Sequence, residues 1–207
     1  MEDSLSPCWQ CGQAVGGLFC PACGALQKPP AGFYSFFGID EKLSLDLADL
    51  QTRFYERSRK LHPDRYGRKP AQEQQYSVEA TSILNDGYRT LRDPVKRAEY
   101  VLKQHGFDIG EQRSKDVPQD LLEEVFELNM ALEELRGGDD SVRPQLDEAR
   151  SHFSELLTDV DSTLHQQFDQ YDSSREDAVL QAIRGTLNRR RYIENLVHEV
   201  DKVGKEL

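Results

Sequence analysis

All four cysteines of the 207-residue chain lie within its first 23 residues, and their spacing leaves that segment few ways to fold. They read Cys8-Trp9-Gln10-Cys11-Gly12 and Cys20-Pro21-Ala22-Cys23-Gly24, the same C-x-x-C-G half-site twice. Each half-site is a tight turn that brings two sulfurs to one side, and the glycine after it tolerates the positive φ such turns ask for. Two turns supply a tetrahedral four-sulfur site, which suits zinc; four thiolates suit iron as well. The alternatives are two disulfides or a redox pair. The opening Met1-Glu2-Asp3-Ser4 has neither an apolar core nor an Arg-rich helix, so no signal or transit peptide is expected, and structural disulfides are disfavoured. A thioredoxin-type pair would follow a strand in a larger α/β unit, a pattern this sequence lacks. The expectation is one structural zinc per chain on Cys8, Cys11, Cys20 and Cys23, in a module spanning residues 1–28. A segment this short cannot build its own core, so the metal would fold it. Lys28-Pro29-Pro30-Ala31-Gly32 reads as a stiff linker. Trp9, Leu18 and Phe19 either pack under the metal or meet a partner.

Net charge is −11, which argues against nucleic acid as a partner, and no run of about 18 apolar residues is present to cross a bilayer. The charge is uneven. Residues 1–32 are net −1, residues 33–107 net +2 and residues 108–207 net −12. Arg53 to Lys69 alone holds seven basic residues and two acids.

The middle segment reads as four helices. Phe33 to Gly38 is a short apolar element. Ser44 is the expected N-cap of the next helix, with Leu47, Leu50, Phe54, Ser58 and Leu61 as its buried stripe. Arg53, Arg57 and Lys60 form a basic stripe about 100° around from it. Pro63 disfavours the α conformation at His62, so the helix should stop there. A third helix runs from about Ala71 to Arg92, with Tyr76, Ala80, Ile83, Leu84, Gly87, Tyr88 and Leu91 as core candidates. Gly87 costs about 1 kcal/mol relative to Ala, and close helix approach is the expected compensation. Asp93-Pro94 is an N-cap with Pro at N1, opening a fourth helix to about Gln104.

Taken together, the basic helix, His62-Pro63-Asp64 and the segment Leu84 to Tyr100 (LNDGYRTLRDPVKRAEY) resemble a J-domain over residues 33–107. The resemblance implies that His62, Pro63 and Asp64 dock onto a DnaK-type chaperone and stimulate its ATPase. It implies electrostatic docking for Arg53, Arg57 and Lys60, and also for Arg65. Gly87 departs from the family, which commonly has Ala there. Read without the resemblance, the tripeptide is an ordinary helix stop and the stripe a solvated face. His62 and Asp64 have no identifiable second catalytic group, so no enzyme is expected.

Residues 116–207 read as an antiparallel three-helix bundle. Leu121, Val125, Leu128, Leu132 and Leu135 repeat at 4-3-4-3 spacing, and Gly137-Gly138 ends that helix. The second helix runs from about Arg143 to Phe168, and the third follows Asp172-Ser173-Ser174. The first helix has more apolar residues than one core face needs. Leu122, Phe126 and Met130 lie about 100° from the core stripe, bordered by Glu123 and Glu127. They are either a wide core face or a partner site.

A J-domain followed by this acidic bundle resembles the HscB/Jac-type cochaperones of iron–sulfur cluster assembly, some of which carry a four-Cys extension. Lys96 to Asp108 and Leu121 to Leu128 are the segments specific to that branch. The resemblance implies an all-α fold with a small N-terminal zinc knuckle, and a cochaperone that delivers the cluster scaffold protein to a DnaK/HscA-type ATPase. It implies scaffold binding at Leu122, Phe126, Glu127 and Tyr192. Glu123 stands where the family usually has an apolar residue, and Met130, where it usually has an acid, is read as an extra apolar contact. A monomer or weak dimer is expected, without nucleic acid or membrane, in a bacterial cytoplasm or, for a processed eukaryotic chain, the mitochondrial matrix. The competing function is a general J-domain cochaperone that delivers unfolded clients. A thiol–disulfide oxidoreductase and a zinc-ribbon nucleic-acid binder rank below it.

Overall fold

The computed structural model describes residues 6–107 and 119–206. Among these, helices dominate and the only sheet is a two-stranded one at the N-terminus. The described residues form two compact units, Met1–Arg97 and Ala98–Leu207, so the division falls inside the fourth helix.

In the first unit, β1 (Ser6–Pro7) pairs antiparallel with β2 (Ala14–Val15), Ser6 facing Val15. The helices α1 (Phe33–Phe37), α2 (Leu47–Leu61) and α3 (Ala71–Arg92) follow. Phe36, Phe37, Leu43, Leu50, Leu61, Ala80, Leu84 and Leu91 are buried among them. Two expectations for α2 need correction. Its N-cap is Asp46, whose carboxylate accepts from the Ala48 and Asp49 N–H groups, and not Ser44. Leu47 is 50% exposed instead of buried, because it occupies the first position of the helix, ahead of the packed turns. Phe54 is half-buried and stacks on Tyr88 of α3, ring centroids 4.3 Å apart.

The Gly87 expectation is met: a Cβ there would lie 3.0 Å from Phe37 and 3.1 Å from Phe33, so α1 crosses α3 at the glycine. Asp93 caps α4 (Pro94–Gln104) through the Val95 and Lys96 N–H groups. Arg97 is buried, and its guanidinium donates to the Leu43 carbonyl at 2.8 Å and to the Leu91 carbonyl near the end of α3.

The second unit holds α5 (Leu122–Arg136), α6 (Arg143–Ser174) and α7 (Asp177–Glu206). The helix expected to end near Phe168 continues to Ser174, because Tyr171 is also fully buried and Arg175 ends it in the left-handed conformation. Val125, Leu128, Leu132, Phe153, Val160, Ile193, Leu196 and Val200 share one core. Within this unit Glu99 pairs with Arg191 at 2.6 Å, and Tyr171 hydrogen-bonds His105 at 3.1 Å.

Candidate metal centre and docking surfaces

The two cysteine half-sites fold identically. The Gly12 N–H donates to the Cys8 carbonyl and the Gly24 N–H to the Cys20 carbonyl, each at 2.9 Å. The Cys8 N–H donates to Gln13 and the Cys20 N–H to Ala25. Gly12 and Gly24 have φ of 76° and 75°, which few residues with a Cβ adopt. The four sulfurs lie within 4.8 Å of one another, with Cys8–Cys23 at 3.7 Å and Cys11–Cys20 at 3.6 Å. A tetrahedron with metal–sulfur bonds of about 2.3 Å has edges of about 3.8 Å, so the donor set fits a four-coordinate thiolate metal. Gln27 Nε2 and the Gln10 N–H reach the Cys8 sulfur at 3.3 and 3.4 Å, the outer contacts that orient a ligand.

The thiols titrate apart. Desolvation raises Cys8, but hydrogen bonds from the Cys11 and Gln10 backbone and from neighbouring thiols outweigh it and bring Cys8 down to about 6. At Cys23 the Ala25 backbone lowers the value, while desolvation and the three other thiols push it up to about 12. The cluster cannot hold four thiolates by itself; a cation lets it do so.

The linker is not this module's only tie to the helices. Leu26 is fully buried, and its N–H donates to the buried Glu73 carboxylate of α3 at 3.2 Å. Trp9 Nε1 donates to the Leu26 carbonyl at 2.8 Å. Sequence reasoning missed Glu73. Its signal was an acid at a core-facing position of α3, between the helix start and Ser77.

The His62-Pro63-Asp64 segment stands at the end of α2. His62 is its C-cap, and Pro63 opens a single 3-10 turn. The side chains of His62 and Asp64 are 55% and 89% exposed. The His62 Nδ1 accepts from the Asp64 N–H at 3.3 Å. Beneath the loop, side chains take up the last carbonyls of α2, which a helix leaves unpaired. Tyr66 donates to Lys60 at 3.1 Å, and Ser77 and Thr81 donate to Leu61 at 2.6 and 3.3 Å. These three supports, also missed, fix the direction in which the tripeptide points. Arg65 donates to the Arg59 carbonyl at 3.3 Å.

The basic stripe is uneven. Lys60 is exposed. Arg53 spends its guanidinium on Asp49 and on the Phe37 and Gly38 carbonyls at the end of α1. Arg57 is half-buried over the Phe36 ring, and burial, with repulsion from Arg53, lowers its pKa.

On α5, Leu122, Phe126 and Met130 are 50%, 64% and 49% exposed, so the spare stripe is not core. Glu127 is exposed beside them. Tyr192 of α7 is half-buried against the bundle core, and burial raises its pKa.

Together these elements define a class: a helical hairpin with an exposed His-Pro-Asp turn, carried in one chain with a four-cysteine module and a helical bundle. Within it the chain is similar to HscB proteins over most of its length. Residues 117–201 match the family described as the HSCB C-terminal oligomerisation domain. The human iron-sulfur cluster co-chaperone protein HscB is 28% identical over 200 residues, 93% of this chain and 80% of that protein. The Arabidopsis thaliana HscB homolog is 29% identical over 203 residues, 97% and 75%. The crystal structure of human HscB aligns with a TM-score of 0.70 at 26% identity, covering 98% of this chain and all of that one. Chaperone HscB from Vibrio cholerae shares the fold, with a TM-score of 0.60 at 22% identity over 84% of this chain and 98% of that one.

Proposed function

We propose that this chain is a co-chaperone of iron–sulfur cluster assembly that performs no covalent chemistry itself. The observation that carries the reading is the likeness to HscB co-chaperones along most of the chain, and His62-Pro63-Asp64, exposed in the turn after α2, supports it. Residues 33–107 act as the J-domain. His62, Pro63 and Asp64 dock onto a DnaK/HscA-type ATPase and stimulate it, with Lys60, Arg57, Arg53 and Arg65 supplying the positive field. Lys60 is the freest of these cations; Arg53 and Arg57 serve mainly to hold the hairpin. Residues 116–207 bind the cluster scaffold through Leu122, Phe126, Glu127, Met130 and Tyr192. Exposed apolar side chains with an acidic border give a partner both buried area and register. Holding both partners raises the local concentration of scaffold at the chaperone.

Cys8, Cys11, Cys20 and Cys23 hold one zinc ion, with iron as the competing occupant. The metal supplies a structural cross-link. The place of action is a bacterial cytoplasm or a mitochondrial matrix, as a monomer or weak dimer.

The test is a paired assay. His62→Gln should abolish stimulation of the chaperone's ATPase and leave scaffold affinity unchanged. Phe126→Ala should do the reverse, weakening scaffold binding by about 1–3 kcal/mol while retaining stimulation. Broad affinity for denatured proteins, with none for the scaffold, would instead identify a general J-protein.

A further inference from the structure

The first unit contains a cleft whose metal-module wall the co-chaperone reading leaves without a role. It opens where the metal module meets α1 and α2, with a volume of about 900 Å³, in the range of ligand sites. Trp9 and Phe19 contribute aromatic surface, and the charged residues lining it are Lys28, Arg57 and Lys60. All three are cations, in a chain whose net charge is −11. Trp9 and Phe19 are each 38% exposed, among the large apolar side chains left open to solvent. The Arg57 Nε is buried and has no hydrogen-bond partner, so its desolvation is uncompensated. The walls are held in place: Trp9 is bonded to Leu26, and Leu26 to Glu73 of α3. A preformed site binds without the cost of ordering its walls.

We propose that this cleft binds an extended acidic peptide segment of a partner protein. An aromatic or aliphatic side chain of the segment lies against Trp9 and Phe19, and its carboxylates pair with Lys28, Lys60 and Arg57. The occupant follows from complementarity. A small inorganic anion would leave the aromatic wall bare. A wholly apolar segment would leave three cations facing it unpaired. Arg57 and Lys60 also belong to the stripe proposed to meet the chaperone, so the test rests on Lys28 and Phe19, which that reading does not use.

Trp9 is the only tryptophan of the chain and therefore reports on the cleft directly. The metal-loaded full-length protein is titrated with the capped peptide Asp-Glu-Phe-Asp-Glu, with its lysine-for-acid counterpart, and with a hexathymidylate. The acidic peptide should give a saturable change in Trp9 emission that weakens as salt is raised, because the pairs are at a solvated rim. Lys28→Glu should lower its affinity about tenfold and Lys28→Gln about threefold. Phe19→Ala should lower it about fivefold. Lys28 is exposed and lies outside the tripeptide and the basic stripe, so circular dichroism and metal content should be unchanged in its variants. No saturable change, equal binding of the lysine peptide, tighter binding of the hexathymidylate, or undiminished affinity in Lys28→Glu would each overturn the proposal. None of these results bears on ATPase stimulation.

Discussion

A Cβ added at Gly87 would lie 3.0 Å from a Phe37 ring carbon and 3.1 Å from one of Phe33. Two effects then compete. Alanine is worth about 1 kcal/mol more than glycine in a helix interior. Forcing a methyl into a packed site costs about 1–3 kcal/mol. Phe37 is fully buried and cannot yield without moving α1, so overpacking wins. Gly87→Ala should destabilise the chain by about 1 kcal/mol, read as a lower urea midpoint at unchanged slope; a higher midpoint would mean the Phe33 ring simply turns away. The helical spacing pointed to Gly87 as a core position, and the contact that requires it is with α1. Arg97 tells the opposite story. No spacing pattern marks it as a core position, yet it is buried against the Leu43 and Leu91 carbonyls.

Among the elements, α5 was the most legible and the least resolved by sequence. Its 4-3-4-3 repeat gave the core stripe, and Val125, Leu128, Leu132 and Leu135 are buried accordingly. Whether Leu122, Phe126 and Met130 were also core depended on what α6 and α7 leave uncovered, which periodicity does not contain. The turn that starts α5 is pinned from a distance. Asp120 accepts two hydrogen bonds from Arg189 of α7, at 2.7 and 3.0 Å. Those bonds hold the Asp120 carboxyl below the ordinary aspartate range. A depressed folded-state value means the pair stabilises fully above the unfolded value of about 3.9 and fades as pH falls through the folded one. Thermal melts across about pH 2.5–5 should therefore show a shallower acid loss in Asp120→Asn than in the parent. Identical slopes would mean that the pair is as strong in the unfolded chain as in the folded one.

The whole molecule joins segments of opposite charge, net +2 over residues 33–107 and −12 over residues 108–207. In the first unit the metal module is built into the helical part through Leu26 and Glu73. Stripping the metal should therefore do more than unfold the knuckle. It should release Leu26 and leave the buried Glu73 carboxylate without its N–H partner, a loss of about 1–3 kcal/mol to α3. Hydrogen exchange after chelation should accelerate across residues 8–30 and around Glu73, while α6 and α7 keep their protection. Uniform acceleration in both units would show that the metal holds the whole chain.

The sequence by itself determined the helices, their stops at Pro63 and Gly137, and the four-sulfur site, because capping, periodicity and turn chemistry act over a few residues. It also placed the candidate tripeptide in a loop, since proline after histidine ends a helix locally. The tertiary structure alone decided which charges are free. Arg53 and Arg57 look like surface cations in the sequence, but their guanidiniums, like that of Arg97, are drawn onto carbonyls or an aromatic ring of neighbouring elements. It likewise decided that the metal module packs against α3, through a Leu26–Glu73 bond spanning 47 residues. Contacts of that reach depend on how separate elements meet, and no local pattern in the chain encodes them.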